Sequence, residues 1–273
     1  MFENLVEDRE RRQTVRRVPA LEDDRQRDID LLQRAVAASV KEDLGWDGEI
    51  DFSPKEVDRE ALERKKVELG RLLNTPVQHT FDYNLWPGWQ VIVPKYEYWW
   101  AVGTGMPWAH LDGHITVFAT DGFSASGFGF YLEADEEGYA SIFPSGPGKS
   151  SWAAFKDAPR LRSKAGAGAV VYEGSSLLVS RQPVMWDVQG PKQFTGGGDN
   201  RAFGNIASPT FPGMFGPVPL APVLAPIGPG RRLLVWFYHW HLGENMKDAA
   251  FLSFVASEVP MVFVNFGKGP IVN

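Results

Sequence analysis

Residues Val235 to Asn245 read VWFYHWHLGEN, and the reading of this run decides the fold. As a β-strand it places Val235, Phe237, His239 and His241 on one face. Leu234, Trp236, Tyr238 and Trp240 then take the other. The two imidazoles share a face, and Glu244 follows three residues after the second. Either the pair is half of a metal site or it is packing and hydrogen bonding inside a β-structure.

The segments around this run have the same texture. WQVIVPKYEYWWAV (89–102), HITVFAT (114–120), SGFGFYLEA (126–134), YASIFP (139–144), GAVVYEGSSLLVS (168–180), AAFLSFVA (249–256) and MVFVNF (261–266) are short β-rich runs divided by Gly, Pro, Asp and Ser. Alternation puts Tyr96, Tyr98, Trp100 and Val102 on one face and Lys95, Glu97 and Trp99 on the other. Eight to ten such strands with frequent turn signals predict a mainly β chain, an all-β sandwich or barrel. No fixed-period repeat suggests a propeller or solenoid.

Residues 1–75 are different. They are charged and poor in glycine, and LEDDRQRDIDLLQRAVAASVKEDL sets Ile29, Leu32, Val36, Val40 and Leu44 at helical spacing. Acidic residues crowd the start, where the helix dipole favours them. Ser53, Pro54 and Glu56 form a capping-box pattern predicting a second helix, continued by Val57, Leu62, Leu69 and Leu73. The division is therefore a helical N-terminal arm, 1–75, and a β-domain, 76–273. Inside the latter, Ser208 to Arg232 carries seven prolines and four glycines, which forbid helix and central strand. Its many apolar residues predict an extended segment laid over apolar surface.

Composition narrows the function. A chain of 273 residues can bury a large core, and its ten tryptophans make it unusually aromatic. A net charge of −6 argues against sequence-specific or broad nucleic-acid binding. The absence of cysteine excludes disulfides, thiolate metal sites and cysteine nucleophiles, and with sparse Asn and Gln it fits a hot habitat. No apolar run spans a membrane and the N-terminus has no signal-peptide h-region, which predicts a soluble protein made in a cytoplasm.

Chemistry-bearing patterns are few. SGPGKSS (145–151) lacks the first glycine of a phosphate loop and reads as a turn. FTGGGDNRAFGN (194–205) reads as a mobile loop, and Asp135, Glu136 and Glu137 read as a solvated turn. Arginines 9, 11, 12, 16 and 17 alternate with acids, as in a salt-bridged or phosphate-touching arm. The tryptophans fit a sugar-binding platform if exposed and simple volume if buried.

VWFYHWHLGEN resembles the first cupin motif, His-x-His followed by Glu on a β-barrel. That resemblance implies a metal held by His239, His241 and Glu244, with a further histidine from a later strand. No histidine follows His241; His79, His110 and His114 all precede it. From Pro76 to Asn273 the architecture and composition are instead similar to viral jelly-roll capsid proteins, in particular the single-jelly-roll subunits of icosahedral internal-membrane phages such as those infecting Thermus. This likeness implies a non-enzymatic structural protein with no catalytic residues, metal or cofactor. It implies a location in the virion, self-assembly with a second capsid protein, and contact of the arm with an internal lipid membrane. A carbohydrate-binding virion module is the remaining alternative.

Overall fold

The computed structural model describes residues 14–21, 24–42, 45–54, 60, 61, 64, 67, 90–92, 96–111, 113–118, 120–145, 148–154, 159–190, 202–206, 223–248, 252–259 and 261–268. In chain order the elements are β1 (Val15–Val18), α1 (Asp24–Glu42), β2 (Gln90–Ile92), β3 (Tyr98–Gly103), β4 (Trp108–Ala109), β5 (His114–Phe118), β6 (Gly122–Ala134), β7 (Gly138–Ser145) and β8 (Gly148–Ala154). They continue with β9 (Arg162–Glu173), β10 (Ser176–Arg181), β11 (Val184–Gln189), β12 (Ala202–Ile206), β13 (Val223–Ile227), β14 (Leu233–Glu244), β15 (Leu252–Glu258) and β16 (Met261–Gly267).

One sheet is long-stranded. β14 lies at its centre, paired antiparallel along its whole length with β6 and β9. Strands of twelve or thirteen residues reach about 40 Å at roughly 3.3 Å per residue. Each outer edge is made of two short strands set end to end. β1 and β3 cover the two halves of β6, and β10 and β11 cover the two halves of β9.

The second sheet is broken in the middle. Only Gly146 and Pro147 separate β7 from β8, and only Val259 and Pro260 separate β15 from β16. Each of these short gaps contains a proline, which has no N–H to give to a ladder. The result is two shorter ladders, β13-β7-β16-β2 and β12-β8-β15-β5-β4. Both face the long-stranded sheet. Val235 and Phe237 of β14 pack with Ile142, Val262 and Val264 of the first ladder, and His239, further along, bonds to β15 of the second.

The pairings are nested: β9 with β10, β7 and β8 with β13 and β12, β6 with β14, β5 with β15. A long antiparallel hairpin rolled over so that successive strands alternate between two sheets gives this order, which is that of a jelly roll. It is an open sandwich and not a closed barrel. The β1/β3 and β10/β11 edges of the long-stranded sheet pair with no further strand among the described residues.

The long-stranded sheet is buried on both faces. Its inner face carries Phe128, Phe130, Leu132, Val235 and Phe237 against the broken sheet. Its outer face carries Tyr98, Trp100, Tyr131, Trp236, Tyr238 and Trp240, and α1 lies over them through Leu31, Leu32, Ala35, Val36 and Val40. The apolar stripe expected of this helix is thus the third layer of the fold. The aromatic residues fill volume.

Several local expectations are revised. Val15–Val18 is not helical arm: it pairs with β6, and Val15 is fully buried. The helix start expected after Ser53 falls at 55–59, outside the described residues. Asp51 accepts the Ser53 N–H at 2.9 Å and Pro54 bridges to Val102. Residues 60, 61, 64 and 67 are helical, but the rest of the second expected helix lies outside the described residues. Tyr96 does not share a face with Tyr98. The chain slips by one residue before β3, and Tyr96 turns inward to stack on Phe128 with ring centroids 3.9 Å apart. SGPGKSS contains the end of β7 and the start of β8, and the loop expected at 194–205 contains the start of β12. Of the proline-rich segment, 208–222 lies outside the described residues. Its end, β13, is an edge strand, the place in a sheet where Pro226 costs least.

Candidate functional site

The centre of β14 is built by its neighbours' glycines. Trp236 lies opposite Gly129, Tyr238 between Gly127 and Gly168, and Trp240 beside Gly166. A Cβ at Gly129 would sit 2.7 Å from the Trp236 ring, and one at Gly168 would sit 2.0 Å from that of Tyr238. Large rings on the middle strand therefore require bare backbone beside them, on both sides at Tyr238 and on one side at Trp236 and Trp240. This packing fixes the register that aims His239 and His241 inward.

Both histidines are buried, at 0% and 1% exposure. His239 Nε2 lies 2.8 Å from Ser257 Oγ on β15, linking the two sheets. His241 Nε2 lies 2.9 Å from Ser163 Oγ on β9, which also accepts the Trp186 indole N–H at 3.2 Å. Burial strips the charged form of solvent and holds both imidazoles neutral, down to about 3. A backbone hydrogen bond with Gly166 works against this shift at His239, whereas the Nδ1 of His241 has no hydrogen-bond partner within the protein.

The structure does not bring Glu244 to them. It stands on the opposite face by strand parity, is partly exposed, and approaches Arg162 at 3.9 Å. His110 and His114 flank Trp108 at the β4–β5 hairpin, with centroids 6.1 and 5.9 Å from the indole, and His114 pairs with Glu258 in the β5–β15 ladder. His79 lies outside the described residues. Among the described residues no three His, Asp or Glu side chains gather as a metal-binding group. We therefore expect metal analysis of the purified protein to find no stoichiometric transition metal. One equivalent that disappears in a His239→Ala, His241→Ala double variant would overturn the packing reading.

A second polar centre lies between α1 and the outer face, and it escaped the sequence reading. Asp28 is fully buried, and its Oδ2 accepts the hydroxyls of Tyr98 at 2.8 Å and Tyr131 at 2.6 Å. Its Oδ1 accepts the Arg27 guanidinium at 2.9 Å, which also donates to the Tyr131 hydroxyl. Arg27 bridges to Asp24 at 2.9 Å, and Arg232 lies 4.4 Å above the Tyr131 ring and donates to the Pro19 carbonyl. Burial, then the bonds to Asp28, raise both phenols well above their ordinary range. The phenols therefore stay protonated donors and Asp28 their shared acceptor. The group is a clasp pinning the first half of α1, and Tyr172 extends it by donating to the Leu31 carbonyl at 2.9 Å. One signal in the sequence marks it: Asp28 occupies a position of the apolar stripe, four residues before Leu32.

The remaining motifs are surface features. Asp135, Glu136 and Glu137 form an exposed turn, paired with Arg16, Lys268 and Arg231. Arg16 and Arg17 of the expected arm hold β1 to the sheet through Glu133, Asp135 and Glu97.

No protein-family model and no curated protein matches the chain. Among solved structures it is similar to a GH31 α-xylosidase from Xanthomonas citri, at 11% identity over 54% of this chain and 12% of that one, with a TM-score of 0.16. It is also similar to the structure of infectious bursal disease virus, Gx strain, at 12% identity over 69% of this chain and 39% of that one, with a TM-score of 0.15. The chain spans less than half the length of either, and overlaps of this quality carry no argument about shared fold or activity.

Proposed function

We propose that the chain is a structural subunit of a viral shell, assembling with copies of itself and with a second capsid protein. Jelly rolls serve as capsid subunits, lectins and cupins, so the fold alone does not choose among these roles. The supporting observation is where the chain spends its chemistry. The two histidines a cupin would turn to a metal are bonded to buried serines, and Glu244 points away from them. Tyr98, Trp100, Trp236, Tyr238 and Trp240, which a sugar platform would expose, lie beneath α1. The β10/β11 edge, by contrast, pairs with no further strand among the described residues and presents Leu177 at 49% exposure and Val184 at 48%. An uncovered apolar sheet edge is a surface prone to association, and monomeric proteins guard against it.

The test is light scattering of the purified chain across a concentration series. Wild type is expected to assemble beyond a dimer. A Leu177→Asp, Val184→Asp variant should keep its melting temperature within a few degrees and lose most of that assembly. A wild-type chain that stays monomeric at every concentration, alone and with virion components, would reject the proposal. Removing residues 1–13 tests the arm without touching β1; weakened assembly at unchanged stability is expected. Contact of this arm with an internal membrane is part of the same proposal, and loss of liposome binding on truncation would support it.

A further inference from the structure

The interior of the sandwich changes character along β14. At one end Leu233, Val235 and Phe237 meet aliphatic and aromatic side chains. At the other, His239 and His241 meet a set of small hydroxyls: Ser124 and Ser126 from β6, Ser163 from β9, Ser253 and Ser257 from β15, all buried to within 2%. Two polar atoms in this seam, His241 Nδ1 and Ser253 Oγ, have no hydrogen-bond partner within the protein. The broken sheet divides at the same level, so β5, β8 and β15 form a ladder separate from β7, β13 and β16.

We infer that this seam is an acid-operated release: protonation of His239 and His241 parts the β5–β8–β15 ladder from the long-stranded sheet while the apolar end stays packed. An imidazolium must donate from both ring nitrogens; His241 has a partner only at Nε2, and His239 has, besides Ser257, only the Gly166 backbone, too little to offset its burial. By pairing and parity this part of the interior holds Ser124 and Ser126 of β6, Ser163, Ala165 and Ala167 of β9 with the Gly166 backbone, Ile115 and Val117 of β5, Trp186 of β11, and Ser253, Val255 and Ser257 of β15. Among the described residues none of these is a carboxylate that could stabilise a buried positive charge. The charges near the seam lie elsewhere. Lys164 pairs with Asp187 and Arg162 with Glu244 on the outward face, and Asp121 accepts the Met246 N–H at the strand end.

The sign is fixed by the direction of the shift. The closed form holds both imidazoles neutral down to about 3, against an ordinary value of 6.5 once exposed. The seam's closure is therefore fully present above pH 6.5 and is lost progressively as pH falls from 6.5 towards 3. Each imidazole raises the open-to-closed ratio about tenfold per pH unit in that window, so the pair raises it about a hundredfold. Division of the broken sheet lets this act on one ladder rather than on the whole molecule. The inference does not depend on the assembly proposal.

The experiment is an acid titration of the full chain from pH 7 to 3.5, followed by limited digestion with an acid-active protease and by binding of an apolar fluorescent dye. Wild type should gain dye binding and cleavage within 245–260 while most far-ultraviolet dichroism persists. A His239→Gln, His241→Gln variant keeps an amide donor for each serine and should open at least one pH unit lower. An unchanged midpoint would overturn the inference. If that variant does not fold, the wild-type histidines decide, through the 13Cε1 resonances of selectively labelled protein. Two that stay neutral until the dye-binding transition and protonate with it support the seam. Titration of all the histidines before any opening, or loss of all structure in one step, rejects it.

Discussion

Gly168→Val should leave the chain unable to form its sandwich, with expression in aggregates or a urea-unfolding profile that has lost its cooperative step. A Cβ at Gly168 would lie 2.0 Å from Tyr238 Cζ and 2.4 to 2.5 Å from two further ring carbons, distances that no relaxed contact allows. The ring has no free direction in which to move. It is fully buried, its hydroxyl accepts the Gln182 amide at 2.6 Å, and the Trp100 ring meets it edge-on at 6.0 Å. Ordinary overpacking of a core costs about 1–3 kcal/mol. Here β9 would also have to leave β14, and the two share the sheet's longest ladder, so the expected loss is larger. Gly174→Ala in the β9–β10 turn is the matched control. Nothing lies within 4 Å of a Cβ there, and only a positive φ of 55° opposes it, at about 1–2 kcal/mol. If the clash is the cause, Gly168→Ala and Tyr238→Leu should be strongly non-additive, the second change recovering part of what the first removes. A Gly168→Val protein with the wild-type urea midpoint would refute the account.

The same residues show what was legible in advance. VWFYHWH could be read as a strand with its faces assigned, because alternation is a local property and both faces turned out as written. The glycines of SGFGF and KAGAG could not be interpreted, since their purpose exists only in register with a strand 70 to 111 residues later. The parity that put His239 and His241 together also places Glu244 on the other face, so the third ligand was open to exclusion from the run itself. The two interruptions that divide the broken sheet each contain a proline in plain sight, at 147 and 260. Short edge strands were the least legible. Val15–Val18 has no alternation of its own and becomes a strand because β6 offers an unpaired edge, with Arg16 and Arg17 held by Glu133, Asp135 and Glu97. The nested pairing could not be read from any one segment, although the strands it joins mostly could.

Asp28→Ala is expected to lower the melting temperature by about 10–15 °C. The variant leaves the Tyr98 and Tyr131 hydroxyls buried without their acceptor, at roughly 1–3 kcal/mol each, and frees Arg27 from its inner partner. A total of about 3–5 kcal/mol corresponds to that temperature change at roughly 2–4 °C per kcal/mol for a domain of this size. Arg27 contributes little, because its half-exposed guanidinium keeps Asp24 and can return to water. Asp28→Asn separates the causes. It retains one acceptor oxygen and the side chain's volume, so it should recover most of the stability if hydrogen bonding to the phenols is what matters, and little if the negative charge is. Helix α1 has other attachments, with Leu32, Val36 and Val40 fully buried and Ser39 bonded to Ser180 at 3.1 Å. Loss of the clasp should therefore loosen the helix's first two turns before the rest, visible as faster amide exchange over 24–31 than over 35–42. A melting temperature within about two degrees of wild type in Asp28→Ala would mean that burying the carboxylate costs as much as its hydrogen bonds return. The cluster would then need a reason for being there other than holding α1 to the sheet.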